Sequence, residues 1–509
     1  MDLKYRMPSA PDILTQSIPE VVSPVARRSV LRVVFSFPVM LASLLVLLMV
    51  LTVRERFNDP DMWWHLKTGE IIWNTHSIPR VDPFSFTAFG KPWIAQEWLS
   101  ELTIYGAYHL LGGYTGLMLW LCTFSGLFAV SAYILCCLYS GNSKVAMLGG
   151  FIAWFFSTIG LAIRPHMLGY TLLVCELILL YMGRNRNPRW LLALPPLFAL
   201  WINLHSSFFF GLAILFIAVA FSWIEFDCGL LFSRRWPADN RRMLLIASCL
   251  SCAALFLNPI GPKLVWYPVD VMLNQPLNLQ SVSEWQQPGF NGARGLGLLL
   301  VFSLILLVPL LRRKALGLQE FILVSVGLLF AVQHERMLFT FGILAAPILC
   351  RLLADAWDPY EPRRDLPVPN AIMIGIAGLA ALLAFPQLAN LERQVQDSNP
   401  VKALAFLKAA RLSGPVLNEY VFGGYLIWAA PEERVFIDGR ADLYERTGML
   451  KEYGRWVTLH ADPKALLDRY GIDVCLLARE SPTQQVLSLM PDWESVYTDG
   501  ISSVFARRP

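Results

Sequence analysis

Residues 34–53 read VFSFPVMLASLLVLLMVLTV, and residues 54–65 continue RERFNDPDMWWH. In the first run only Ser and Thr interrupt the apolar side chains, and a bilayer's hydrocarbon layer needs about 18 or more apolar residues to be crossed. Within the second run, residues 58–65 (NDPDMWWH) set two carboxylates, two tryptophans and a histidine just outside that span. A membrane anchor followed at once by a chemically loaded loop decides how the rest is read.

Composition agrees. The 509 residues are 55% hydrophobic and 16% charged, with a formal net charge of +4 and a mean hydropathy of +0.49, whereas soluble domains carry about 25% charged residues. Further apolar blocks bring the expected spans to eleven, near 34–53, 114–138, 145–163, 167–183, 190–202, 206–226, 243–257, 295–311, 316–333, 338–354 and 370–388. The first span is preceded by about thirty polar residues and lacks a small-residue cleavage site, so it reads as an anchor and not a removable signal. With the N-terminus inside, every even-numbered connection is basic, as in Arg184, Arg186 and Arg189, or Arg312, Arg313 and Lys314. That alternation is the positive-inside pattern, and it implies orientation, not nucleic-acid binding.

The domain plan follows. Residues 1–30 are expected to be a disordered cytoplasmic tail, residues 31–390 a transmembrane domain with a long first outer loop over 54–113, and residues 391–509 an extracytoplasmic α/β domain. In that last domain VKALAFLKAARL and ADPKALLDRYG pattern as helices, and GPVLNEY, GYLIWAA, RVFIDGR, IDVCLLARE and SSVFARR as strands of a partly parallel sheet. Seven of the nine cysteines fall in expected spans. Cys249 and Cys252 have no other ligand type beside them and read as buried apolar residues.

The outward connections collect unusual polar groups. The first carries Asp59, Asp61, His65, Asp82, Glu97 and Glu101; the others carry Arg164-Pro165-His166, Asn203-Leu204-His205, Glu284-Trp285 and His334-Glu335-Arg336. Ionisable groups at the hydrocarbon edge usually line a polar cavity, so these connections are expected to converge on one site. Asp59 before Pro60 suits a helix N-cap. Asp61 would then lie in the first turn, where the dipole keeps a carboxylate ionised, as a general base must be. His65 follows four residues on, on the same helix face. Trp63, Trp64 and Trp73 suit interfacial anchors. Asp82 before Pro83, and Asp438-Gly439-Arg440 after an apolar run, suit turns.

The runs DPDMWWHLKTGEII, IPRVDPFSFT, KPWIAQEWLSE, WINLHSSFFFG and RVFIDGRADLY, on an N-in multispan frame with an acidic first outer loop, resemble the GT-C class of membrane glycosyltransferases and a bacterial multispan group within it. The resemblance implies transfer of a sugar, with inversion, from a polyprenyl phosphate or diphosphate carrier to a glycan, lipid or protein acceptor at the outer face of a bacterial plasma membrane. It implies Asp61 as the base, with Asp59 second. It also implies that His65, Glu97, Arg164, His166, His205, His334 and Arg336 hold the lipid phosphate and sugar, and it leaves a divalent metal ion open. An O-antigen-ligase-like polymerase would place its long loop late in the chain, and here the longest outer loop is the first. A transporter would break its helices near span midpoints, and here the polar groups gather at span ends. A non-catalytic scaffold is the remaining alternative.

Overall fold

The computed structural model describes residues 30–281, 283–410, 412 and 414–508. The expected tail over 1–30 therefore lies outside the described residues except at Val30, which opens a short helix.

A helix stands at each of the eleven apolar stretches. Among the described residues, four helices are long and apolar enough to cross a membrane: Tyr114–Ser140, His166–Asn185, Ala293–Arg312 and Pro367–Ala384. The expected count of about eleven is not reached by this measure. The reason is length. A window of apolar residues counts loop and cap positions that the helix does not include. Leu194–Leu204 holds 11 residues and Leu338–Leu352 holds 15. At a rise of about 1.5 Å per residue these fall short of a hydrocarbon core about 30 Å thick. The first span, Phe37–Val53, is likewise a shorter apolar helix. It packs against Tyr114–Ser140 and Pro367–Ala384, while Ser143–Ser157 and Leu338–Leu352 fill the centre of the bundle. In the latter only Arg351 lacks full burial.

The first outer loop folds into two helices, Met62–Thr75 and Trp98–Leu110, packed side by side. Their closeness depends on Gly69, where a Cβ would run into the Glu101 carbonyl. Two readings of this loop are corrected. Asp61, not Asp59, occupies the N-cap position, because Asp59 turns its carboxylate to Arg164 and to the Asp61 N–H instead. Trp63 is no interfacial anchor. It is fully buried, edge-on to Tyr114 and to Tyr425 of the C-terminal region.

The C-terminal region holds a four-stranded sheet ordered Val416–Asn418, Val474–Ala478, Ser502–Arg507, Trp493–Thr498. The first pair is parallel and the rest antiparallel, with Leu417 opposite Cys475 and Leu476 opposite Val504. The helices expected at VKALAFLKAARL and ADPKALLDRYG form as Val401–Ala409 and Pro463–Arg469. GYLIWAA is not a strand but part of a helix, Tyr420–Ala429. RVFIDGR is extended yet pairs outside the sheet. Phe86 N donates to the Val435 carbonyl and Val435 N to the Phe84 carbonyl, each at 3.0 Å, joining the first outer loop to the C-terminal region. On its other side the Asn418 amide accepts from Phe436 N at 2.8 Å and donates to the Ile437 carbonyl at 2.7 Å.

Candidate active site

Arg440 holds this junction. Its guanidinium donates to Asp438 (2.6 and 2.7 Å) and to Asp82 Oδ1 (2.7 Å), and Tyr444 donates to Asp438 Oδ2 at 2.6 Å. Asp82 also accepts the Phe84 and Ser85 N–H groups, as turn chemistry requires. The turn 438–440 thus clamps the C-terminal region onto the loop. At Gly439 a Cβ would collide with Asp61 Oδ1, so only glycine lets this turn close against that carboxylate.

Above the turn lies a cavity of about 540 Å³ lined by Asp61, His65, Glu97, Arg164, His166, His205, His334 and Arg336. These residues come from five segments far apart in the sequence. Asp59 does not line it. Asp59 stands behind Arg164 and accepts from its Nε at 2.7 and 2.8 Å. Arg164 Nη2 meets Asp61 Oδ2 at 3.1 Å, and Nη1 meets Glu284 Oε1 at 3.3 Å. Glu284 in turn reaches Arg336 Nη1 at 3.5 Å, and Arg336 lies over the Trp285 ring. Arg164 is therefore a shared cation with three carboxylates around it.

Asp61 also accepts from Trp64 Nε1 at 3.2 Å. Burial pushes its carboxyl up to about 6; Arg164 opposes that rise and Asp59 adds to it. The Arg164 guanidinium and the Trp64 hydrogen bond favour its charged form against that burial.

On the same lining, His65 sits between two glutamates. Its Nδ1 is 3.1 Å from Glu101 Oε1 and its Nε2 3.9 Å from Glu97 Oε2, while His205 Nε2 is 3.2 Å from Glu97 Oε1. Burial, then the nearby cations and imidazoles, pushes His65 and His205 well below the ordinary histidine value, so both rings are neutral. Burial pushes Glu97 up to about 8 and Glu101 well up too. His166 Nε2 donates to the Gly160 carbonyl at 2.5 Å, and His334 Nδ1 to the Trp285 carbonyl at 2.7 Å.

Sequence reasoning missed Glu284 as the bridge between two arginines. It also missed Tyr420, Gly439, Asp442 and Tyr267 as cavity wall. Tyr420 donates to the Gly439 carbonyl and Tyr267 to Asp442, each at 3.0 Å. The acidic DGRAD run was the available signal, read there as a turn. Among the described residues no group of three or more His, Cys, Asp and Glu side chains is arranged to hold a metal ion. Arg164 pairs with both Asp59 and Asp61.

No protein-family model and no curated protein sequence matches the chain. Solved structures do. An oligosaccharyltransferase from Archaeoglobus fulgidus superposes with a TM-score of 0.52 at 11% identity, covering 86% of this chain and 69% of its own; that structure carries a tethered acceptor peptide. The same archaeal protein, AglB, is seen in complex with an inhibitory peptide and a dolichol-phosphate, again with a TM-score of 0.52. ArnT from Cupriavidus metallidurans bound to undecaprenyl phosphate superposes with a TM-score of 0.51 at 14% identity, covering 91% of this chain and 97% of its own. At these identities the likeness is one of fold alone: the chain shares its fold with this oligosaccharyltransferase and with ArnT.

Proposed function

We propose that the protein is a glycosyltransferase that moves a sugar from a polyprenyl-phosphate-type carrier to an acceptor hydroxyl, with inversion, at the extracytoplasmic face. The observation that carries this is Asp61, held 3.1 Å from Arg164 at the edge of the cavity. A base beside a fixed cation is what one in-line displacement needs. Asp61 removes the acceptor's proton as its oxygen attacks the anomeric carbon. Arg164 and Arg336 face the negative charge that grows on the departing phosphate, and fixed donors aimed at developing charge are usually the largest catalytic contribution. Guanidinium suits phosphate by bidentate contact.

A lipid-linked donor is supported by the far wall, where Phe209, Phe210, Val271, Met272 and Phe330 line the cavity. Phe209, Phe210 and Phe330 belong to the apolar helices Phe208–Phe221 and Leu318–Gln333. The likeness to enzymes seen with dolichol-phosphate and undecaprenyl phosphate supports the same donor class. The alternation of basic connections supports a cavity on the extracytoplasmic side and a cytoplasmic N-terminus.

The test is a panel of polyprenyl-phosphate-linked sugars offered to the purified protein in lipid nanodiscs with mixed hydroxyl acceptors. Release of polyprenyl phosphate is expected, falling about 10²- to 10⁴-fold in Asp61→Asn, as loss of a general base does. No release from any donor, or full activity of the variant, would sink the reading.

A further inference from the structure

Glu97 is a second carboxyl on the cavity lining, and the displacement above leaves it unused. It precedes the helix Trp98–Leu110 and is 9% exposed. Its nearest polar neighbours are two imidazoles. His205 Nδ1 accepts the Ser207 backbone N–H at 3.0 Å, so that nitrogen carries no proton, and the neutral ring's proton sits on Nε2, aimed at Glu97 Oε1 3.2 Å away. His65 shares a proton with Glu101 through Nδ1 at 3.1 Å, and Glu101 Oε2 is buried without a partner among the described residues.

Among the described residues no arginine or lysine is paired with Glu97; the groups against it are the His205 and His65 rings. From further off, Arg336 and Arg164 favour its ionised form while Asp61 and Asp442 oppose it. Asp61 differs in having a guanidinium directly against it. Two carboxyls whose surroundings drive their protonation apart are the usual arrangement of an acid and a base.

We propose that Glu97 is the general acid of the transfer, its neutral carboxyl giving a proton to an oxygen of the departing phosphate while Asp61 takes the proton of the acceptor hydroxyl. The inference rests on the transfer reading of the preceding subsection. The acceptor oxygen bonds to the anomeric carbon; the bond from that carbon to the phosphate oxygen breaks, and its electron pair leaves with the phosphate. Asp61 ends protonated and Glu97 ionised, so passage of one proton from Asp61 to Glu97 restores the enzyme. The net change moves the acceptor's proton to the phosphate.

Infrared difference spectra test the protonation without substrate. Wild type should show a carboxylic-acid carbonyl band at neutral pH that bleaches as pH rises through about 8 and is missing from Glu97→Gln. An ionised Glu97 at neutral pH overturns the proposal, and the wild-type titration stands even if the variant folds poorly. With a polyprenyl-phosphate sugar, Glu97→Gln should lower kcat about 10²-fold or more, leave the donor KM nearly unchanged and abolish the alkaline limb of the rate profile. A raised KM at unchanged kcat would make Glu97 a binding group, and an unaltered pH profile a structural one; either overturns the acid. If wild type transfers sugar and the variant is unimpaired, only the acid falls. If wild type transfers nothing, the transfer reading falls and takes the acid with it.

Discussion

Two arginines in this molecule are each gripped by several carboxylates, at least one of them from a distant segment, and they are built for different ends. Arg440 joins Asp438 to Asp82 with its side chain 0% exposed, its guanidinium 4.7 Å from the Trp93 ring centre and 4.9 Å from that of Phe84. The partners close around it and Tyr444 completes Asp438. Arg164 meets Asp59, Asp61 and Glu284, but its side chain is 14% exposed and it faces a cavity. Its carboxylates do not close around it, and Asp61 is left on the lining with its carboxyl raised to about 6. The same ion-pair chemistry serves as a staple where space is filled and as a charge reserve where space is left open.

Removing the staple should have the largest effect on the fold. Arg440→Met leaves Asp82 and Asp438 buried without their cation, and breaking a buried pair from one side costs about 3–5 kcal/mol. Thermal unfolding in detergent should show that loss. A stable Arg440→Met protein would mean that the loop and the C-terminal region hold together without this contact.

How far the comparison could be seen in advance depends on the reach of each contact. The apolar stretches announce their helices because the signal is local, yet their ends are set by caps and prolines that a hydropathy window averages over. GYLIWAA reads as a strand because a short apolar run does not distinguish strand from buried helix. It is helical, with Gly423 pressed on the Ile437 carbonyl and Gly424 on the Pro60 carbonyl. Asp59 looks like a cap because nothing near it in sequence reveals Arg164. That the connections between the apolar stretches bring their unusual polar groups to one cavity was readable, because charge beside hydrocarbon needs a reason. That Arg440 draws in Asp82, and Arg164 draws in Asp59, Asp61 and Glu284, was not, because no local pattern encodes so distant a partner.

A smaller effect, confined to rate, is expected where the two clusters touch. Gly439 belongs to the Arg440 turn and abuts Asp61 of the Arg164 cluster, so the Cβ of Gly439→Ala must displace the Asp61 carboxylate or the turn itself. A misplacement of about 1 Å at a reacting group can lower a rate by about 10²-fold. Initial-rate measurements should show that loss with the melting temperature held within a few degrees. A drop in stability as large as that of Arg440→Met would mean that the turn, and not Asp61, had moved.

The smallest effect is expected at Asp59, and it separates a positioning role from catalysis. Asn at this position can still accept the Asp61 N–H, as Asp59 Oδ1 does at 2.9 Å, and Arg164 keeps Asp61 and Glu284 as partners. Asp59→Asn should therefore lower kcat less than about tenfold, far short of the 10²- to 10⁴-fold of a lost base. Its sharper signature is in pH. Asp61 acts in its ionised form, so the wild-type rate should fall as pH drops through about 6. The negative charge of Asp59 is one of the causes holding that value up. Removing it should move the acid limb to lower pH, leaving the variant relatively more active than wild type in acid. A loss as deep as that of Asp61→Asn would make Asp59 the base, and an acid limb that stays in place would show that the two carboxylates are not felt by each other across Arg164.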